Sequence, residues 1–245
     1  MKDNFSSQSE LYAKYRPHYP NDFFKFLDST LTSKNIAWDC GTGNGQVAYQ
    51  LSNMFTKVYA TDISDAQLKH AIQLENIEYT LQPAERTNFT EKSFDCITIA
   101  QAIHWFDFEL FYKEVKRTAK KNAVIAAIGY GRIETSKDMD HIIDHFYQHT
   151  IGSFWDKERR YIDEKYKTIP FPFEEIKTPD FAIEMNWTEE QLIGYINTWS
   201  AVKHYTKQNG MNPVYKLQSM IKPFWENQKE IKVSFPLLLR MGYVT

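Results

Sequence analysis

Nine glycines are few for a chain of 245 residues, and three of them, Gly41, Gly43 and Gly45, fall within five positions. An average chain of this length carries about 17, at roughly 7% glycine. The cluster follows the short apolar run Ile36–Cys40 and precedes a helical pattern over Gln46–Phe55. A strand therefore ends, the chain turns tightly, and a helix begins. Glycine permits positive φ and a close approach of backbone to ligand. A helix N-terminus adds unpaired N–H groups and a partial positive charge. In doubly wound sheets this turn, at the carboxyl end of a strand, is where ligands bind.

The surrounding pattern agrees with such a sheet. Strand-like runs over Lys57–Thr61, Glu78–Leu81, Phe94–Ala100 and Ala123–Ile128 alternate with helical patterns over Asn21–Thr32, Asp65–Leu74 and Phe108–Thr118. Alternation of this kind predicts a parallel sheet covered by helices, with Ser64 as the cap of the Asp65 helix. After Gly131 the pattern changes. Asp138–Arg160 reads as helical and aromatic-rich, Ile169–Pro179 as proline-punctuated, Glu189–Tyr205 as a second helix, Val214–Asn227 as a third kinked near Pro223, and Ile231–Leu239 as a returning strand. The expectation is one domain: an N-terminal segment and α/β core over residues 1–130, a mainly helical cap over 131–230, and a C-terminal strand over 231–245.

Charge and composition exclude other classes. Lys plus Arg is 29 against 31 for Asp plus Glu, a formal net charge of −2. A dedicated nucleic-acid binder shows a basic footprint instead, so no nucleic-acid partner is expected. No apolar stretch reaches the roughly 18 residues of a membrane span, and Met1–Glu10 lacks the apolar core of a signal peptide. A cytoplasmic location without membrane attachment is the resulting expectation. Cys40 and Cys96 form no CxxC pair; on strands expected to be neighbours, they read as buried inert thiols.

The residues around the glycines narrow the ligand. The dinucleotide fingerprint G-x-G-x-x-G/A fails, because counting from Gly41 its last position is Gln46. The actual pattern is D-x-G-x-G-x-G, led by Asp39. An acid at the strand end would repel a pyrophosphate but tolerate a ligand bearing an ammonium group. The segment Asp39–Gly45 resembles motif I of class I S-adenosylmethionine-dependent methyltransferases. That resemblance implies a Rossmann-like fold with a mostly parallel sheet and one antiparallel strand near the C-terminus, and S-adenosylmethionine as cofactor. Further positions match the family. Asp62, seventeen residues after Gly45, stands where a carboxylate grips the ribose hydroxyls. Ile63 stands where a side chain packs on the adenine, Ala84-Glu85 where the adenine edge is read, and Phe94–Ile99 matches the fourth strand.

Three more segments resemble methyltransferases related to trans-aconitate methyltransferase, of the type 11 kind. These are the N-terminal signature Tyr12–Pro20, the segment Ala100-Gln101-Ala102-Ile103-His104-Trp105-Phe106-Asp107, and the late helix Tyr195–Ser200. The resemblance implies cofactor contacts from Tyr12, Arg16, Asp39, Gly41, Thr42, Gly43, Gly45, Asp62, Ile63, Ala84, Glu85 and Gln101. Tyr12 and Arg16 would form a lid over the methionine end, although Arg16 could instead pair with a substrate carboxylate. His104 and Trp105 are the candidate catalytic residues, orienting an organic-acid carboxylate beside the methyl group, since plant small-carboxylate methyltransferases and insect juvenile hormone acid methyltransferase carry a similar L-H-W. A carboxylate is already ionised near neutral pH and needs no base, whereas a phenol or amine would. The Asn-Pro-Pro-aromatic motif of many nucleic-acid-base methyltransferases is missing from Gln101–Asp107.

Other acceptors, including macromolecules, and a non-catalytic cofactor-binding protein stay open, as does the oligomeric state. A nucleotide-dependent oxidoreductase is opposed by Gln46. Some residues have plainer readings: Trp199 as packing within the cap, Lys157-Glu158-Arg159-Arg160 as a solvated face, and His104 as a structural histidine. His141, His145 and His149 recur at helical spacing, but no further residues complete a ligand set, and no metal is expected.

Overall fold

A computed structural model describes residues 15–245. Its first half builds the expected alternation: α1 (Asn21–Thr30), β1 (Ile36–Cys40), α2 (Gln46–Ser52), β2 (Lys57–Asp62), α3 (Asp65–Lys69), β3 (Ile77–Leu81), β4 (Phe94–Ala100), α4 (Phe108–Thr118) and β5 (Ala119–Tyr130). Local chemistry marks the boundaries. The Ser64 hydroxyl accepts the Gln67 N–H to start α3, and the Asp107 carboxylate accepts the Leu110 N–H to start α4.

The second half contains α5 (Lys137–His145), a short α6 (Arg160–Asp163), β6 (Glu174–Glu175), β7 (Ala182–Trp187), α7 (Glu189–Asn197), α8 (Ser200–Asn209), α9 (Val214–Ile221) and β8 (Ile231–Val244). The sheet order is β3-β2-β1-β4-β5-β8-β6, with β7 paired to β8 off this path. Strands β1 to β5 pair in parallel, and β8 runs antiparallel to β5. This is the Rossmann-like arrangement of mostly parallel strands with an antiparallel strand near the C-terminus.

Three expectations about the second half need correction. The helix expected over Asp138–Arg160 is broken: α5 passes into a π-helical turn at Phe146–Thr150, and Trp155 and Asp156 are extended. The helix expected over Glu189–Tyr205 is two helices, because Thr198 Oγ1 bonds back to the Tyr195 carbonyl at 2.6 Å and Trp199 is extended. Strand β8 runs five residues beyond Leu239 because it has two sets of partners. Ile231–Pro236 pairs with β7, and Leu237–Val244 pairs with β5. Pro236, which has no N–H, sits at the changeover, where its carbonyl accepts the Gly131 N–H at 2.9 Å.

The core follows the period-2 alternation of the strands. On β5, Ile125 and Ala127 pack with Trp38, Ile97 and Ile99 on one face, while Val124, Ala126 and Ile128 pack with Ala37, Val58 and α1 on the other. Trp38 is fully buried and its indole N–H reaches Thr61 Oγ1 at 2.9 Å, so β1 and β2 are joined by a satisfied polar contact as well as packing. Cys40 and Cys96 lie on paired strands but in the clusters on opposite faces. Burial pushes both thiols up from their ordinary range. A third cluster joins the cap helices to β7 and the first part of β8, with Trp187, Tyr195, Trp199 and Phe235 in contact.

Candidate functional site

The glycine turn joins β1 to α2, and all three of its glycines have positive φ: +66° at Gly41, +57° at Gly43 and +82° at Gly45. They serve different ends. A Cβ on Gly41 would lie 2.6 Å from the Ala102 Cβ, and one on Gly45 would run into the Tyr79 hydroxyl. Those two glycines let the turn pack. A Cβ on Gly43 would meet nothing nearer than Gln67 Oε1 at 3.8 Å, so at this position the bare backbone borders open space.

Two acids hold the turn. Asp39 is fully buried and accepts from Thr42 Oγ1 at 2.5 Å, from Thr98 Oγ1 at 2.7 Å and from the Ala48 N–H of α2 at 3.1 Å. Loss of hydration outweighs these bonds and pushes its pKa up from 3.8 to about 6. Asp62, at the end of β2, accepts the Gly43 N–H at 2.8 Å and the Ser64 N–H at 2.9 Å. It tethers the turn while still facing the space above it.

That space is a cleft at the carboxyl ends of β1, β2, β4 and β5, where open α/β sheets bind their ligands. Of the residues singled out in the sequence, Arg16, Gly41, Thr42, Gly43, Asp62, Ile63, Gln101 and Trp105 line it. Asp39 lies beneath the turn, and Gly45 packs on Tyr79 behind it. Ala84 is buried in the core, and Glu85 accepts the Asp107 N–H at 3.2 Å; neither lines the cleft. Tyr12 lies outside the described residues. Tyr19, Ser64, Gln67 and Tyr130 also line the cleft and were missed. The position of Tyr130 at the carboxyl end of β5 was an available signal. Gln101 has φ +52°, an uncommon conformation for a non-glycine residue that clusters at functional sites. Its N–H bonds to the Ile128 carbonyl at 2.8 Å, and its side-chain amide donates to the Tyr130 carbonyl at 3.2 Å.

A second cavity adjoins the first and shares Arg16, Gln101, Trp105 and Tyr130 with it. Its other walls include His104, Trp155, Asp156, Arg159, Tyr195 and Trp199. His104 therefore faces the second cavity and Trp105 faces both. Burial and, secondarily, the charge of Arg159 push the His104 pKa down from 6.5 to about 3. The imidazole is neutral at physiological pH and too weakly basic to deprotonate a phenol or amine efficiently. Arg16 donates to the Tyr130 hydroxyl at 3.0 Å and stands over the Tyr195 ring at 5.3 Å.

Arg159 corrects the reading of Lys157–Arg160 as a solvated face. Its side chain is only 17% exposed. It stacks on Trp155 at 4.6 Å, donates from Nε to the Tyr147 hydroxyl at 2.8 Å, and lies 3.7 Å from Asp163. Trp199 is buried, as expected of packing, and also forms part of the cavity wall. Of the three spaced histidines, His145 and His149 have rings 4.8 Å apart. Among the described residues no group of three or more His, Cys, Asp or Glu is arranged to hold a metal, and no helix is long and apolar enough to cross a membrane.

Comparison with known proteins agrees with this geometry. The methyltransferase domain family matches residues 38–127, from β1 into β5. A candidate methyltransferase of Dictyostelium discoideum is 31% identical over 97% of this chain and 93% of its own. The solved structure of a candidate type II methyltransferase from Anaeromyxobacter dehalogenans superposes with a TM-score of 0.86 at 33% identity, covering 94% of this chain and 98% of the other. A Saccharomyces cerevisiae protein named as an S-adenosylmethionine-dependent methyltransferase is 27% identical over 50% of this chain and 45% of its own length. With similarity extending along nearly its whole length and the fold to match, the chain belongs to the class I S-adenosylmethionine-dependent methyltransferases, enzymes whose cofactor is S-adenosylmethionine.

Proposed function

We propose that the protein O-methylates a small-molecule carboxylic acid, as a member of the group related to trans-aconitate methyltransferase, in the cytoplasm and as one domain whose cap encloses the acceptor. The observation that carries this reading is the second cavity. It adjoins the cofactor cleft at Trp105, and its lining includes two guanidinium groups, Arg16 and Arg159, and one carboxylate, Asp156; Asp163, which pairs with Arg159 at 3.7 Å, stands outside the lining. Such a wall favours an anionic acceptor, and guanidinium is well matched to carboxylate oxygens.

S-adenosylmethionine supplies an electrophilic methyl group on a sulfonium, and displacement at that carbon demands a nucleophile aligned opposite the leaving sulfur. The chain's own residues would do the holding. Gly43 would present bare backbone, Asp62 would accept from the ribose hydroxyls, and Ile63 would pack on the adenine, all three lining the cleft. Asp39 supports the turn from below rather than touching the ligand. Trp105, at the junction of the two cavities, would orient the attacking carboxylate, with Arg16 and Arg159 attracting it. No proton has to move, which suits the neutral His104. Alignment of two bound reactants is itself a large part of such catalysis.

The test is turnover of labelled cofactor against panels of organic acids, phenols and amines. Methylation confined to carboxylic acids is expected. Methylation of amines or phenols without any acid would overturn the reading, as would methylation only of protein or nucleic acid.

A further inference from the structure

Beneath the second cavity lies a buried side chain that the methyl-transfer geometry has not yet used. Tyr166 is fully buried, and its hydroxyl lies 3.4 Å from His104 Nδ1. The placement is costly to build. Tyr166 has φ +62° and the preceding Lys165 has φ +56°, a conformation that bulky L-residues adopt only where the surroundings enforce it. The surroundings do so here. The Tyr166 N–H bonds to the Tyr161 carbonyl at 2.7 Å. Arg240 of β8 donates to the carbonyls of Tyr166 and Ile169, each at 3.1 Å, while pairing with Glu175. Gly129 of β5 makes room for the ring: a Cβ there would stand 2.6 Å from the Tyr166 hydroxyl.

We infer that Tyr166 is a positioning residue for His104, holding Nδ1 through its hydroxyl so that the imidazole presents Nε2–H to the acceptor cavity as a hydrogen-bond donor. A neutral imidazole has one donor and one acceptor nitrogen, and the partner of one decides the role of the other. Nδ1 is turned to Tyr166, which does not line the cavity, so Nε2 is the nitrogen left to face it. A hydroxyl donating to Nδ1 places the ring proton on Nε2. His104 then complements an ionised acceptor oxygen and offers no lone pair to take a proton from a phenol or amine. This inference rests on the carboxylate reading for its meaning in turnover, but the state of His104 can be judged without any acceptor.

The experiment uses the whole protein with nitrogen-15-labelled histidine, the His104 signals being identified by their loss in His104→Gln. In the wild type, an unprotonated Nδ1 and a protonated Nε2 are expected at neutral pH. In Tyr166→Phe, which keeps the ring and removes the hydroxyl, the His104 signals should shift toward mixed tautomers. Affinity for S-adenosylhomocysteine should stay within about twofold, and kcat for the acid acceptor should fall about tenfold, the worth of one hydrogen bond. A protonated Nδ1 in the wild type overturns the inference, and this reading stands even where Tyr166→Phe fails to fold. Unchanged His104 signals in Tyr166→Phe, or changed signals with unchanged kcat, overturn it equally. Should no carboxylic acid be methylated by the wild type, the carboxylate reading falls while the histidine signals still decide the role of Tyr166.

Discussion

Replacing Gly43 by alanine separates ligand binding from folding more cleanly than any other change in the turn. The new methyl meets no protein atom nearer than 3.8 Å, so packing is undisturbed. What remains is the cost of holding an L-residue at φ +57°, ~1–2 kcal/mol, which lowers the melting temperature of a domain this size by about 2–8 °C. The methyl would stand in open space, with Gln67, another residue lining the same cleft, as its nearest neighbour. If the cofactor lies on that backbone, the intrusion acts like overpacking, ~1–3 kcal/mol, or about five- to 150-fold in Kd. Gly210 supplies the control. It caps α8 at φ +70° with no atom within 4 Å of its hypothetical Cβ, so Gly210→Ala incurs the same backbone cost at a residue that lines neither cavity. Calorimetric titration with S-adenosylhomocysteine, alongside thermal melts, should show both variants equally destabilised and only Gly43→Ala weakened in binding. A folded Gly43→Ala protein with wild-type affinity would refute the placement of the cofactor on this turn, as would equal weakening in Gly210→Ala.

Asp62→Ala removes both the acceptor for the Gly43 N–H and the proposed ribose contact, so its loss of affinity for S-adenosylhomocysteine should exceed tenfold in the same titration, at about 1.4 kcal/mol per decade. Arg159→Gln should raise KM for a carboxylate acceptor by about tenfold while leaving S-adenosylhomocysteine affinity unchanged, because Arg159 lines only the second of the two cavities; steady-state kinetics with varied acceptor would show it. Asp39 predicts a pH effect on the ligand-free protein. Its pKa is raised from 3.8 to about 6, so the native state binds the extra proton in that window. The stabilisation is full below the lower value and is lost as pH rises through the upper one. The difference in unfolding free energy between wild type and Asp39→Asn should therefore shift by ~2 kcal/mol between about pH 4.5 and about pH 7.5, against wild type at the higher pH. Urea titrations at the two pH values measure it, and a shift of the opposite sign would defeat the argument.

The central strands β1 and β4 were legible because they are short runs buried on both faces. Ile36–Cys40 and Phe94–Ala100 were bounded correctly from their apolar character alone, as was the amphipathic helix Phe108–Thr118. The second half was less legible, and each failure has a cause. Strand β7 alternates Ile183, Met185 and Trp187 with Glu184 and Asn186, a period-2 signal that was present but overlooked behind the nearby prolines. The breaks at Trp155 and Trp199 carry only weak local marks, Gly152 before one and Thr198 before the other, and neither residue type by itself ends a helical pattern. Tertiary packing holds the breaks in place: the two indoles pack on each other at 5.7 Å and on Tyr147, and Trp155 and Trp199 are far apart in the chain.

The sequence by itself located the binding turn, and its resemblance to motif I implied the cofactor class. A strand, three glycines, an acid before them and another after the next strand are local features, and their chemistry depends on spacing along the chain. Tertiary structure decided how the two acids divide their work, Asp39 under the turn and Asp62 beside the cleft, because only folding brings Thr98 and Ala48 onto one and Gly43 onto the other. It also decided the acceptor side. Arg159 looks solvated in a run of charges and becomes a cavity wall only when Tyr147 and Trp155 enclose it. His104 could be a structural or an orienting histidine from sequence; burial and the charge of Arg159, 55 residues away, disfavour its protonated form, and Tyr166, 62 residues away, stands at its Nδ1. Local motifs specify what binds to backbone. The charge and protonation of a pocket depend on burial and on distant neighbours, and these exist only in the folded chain.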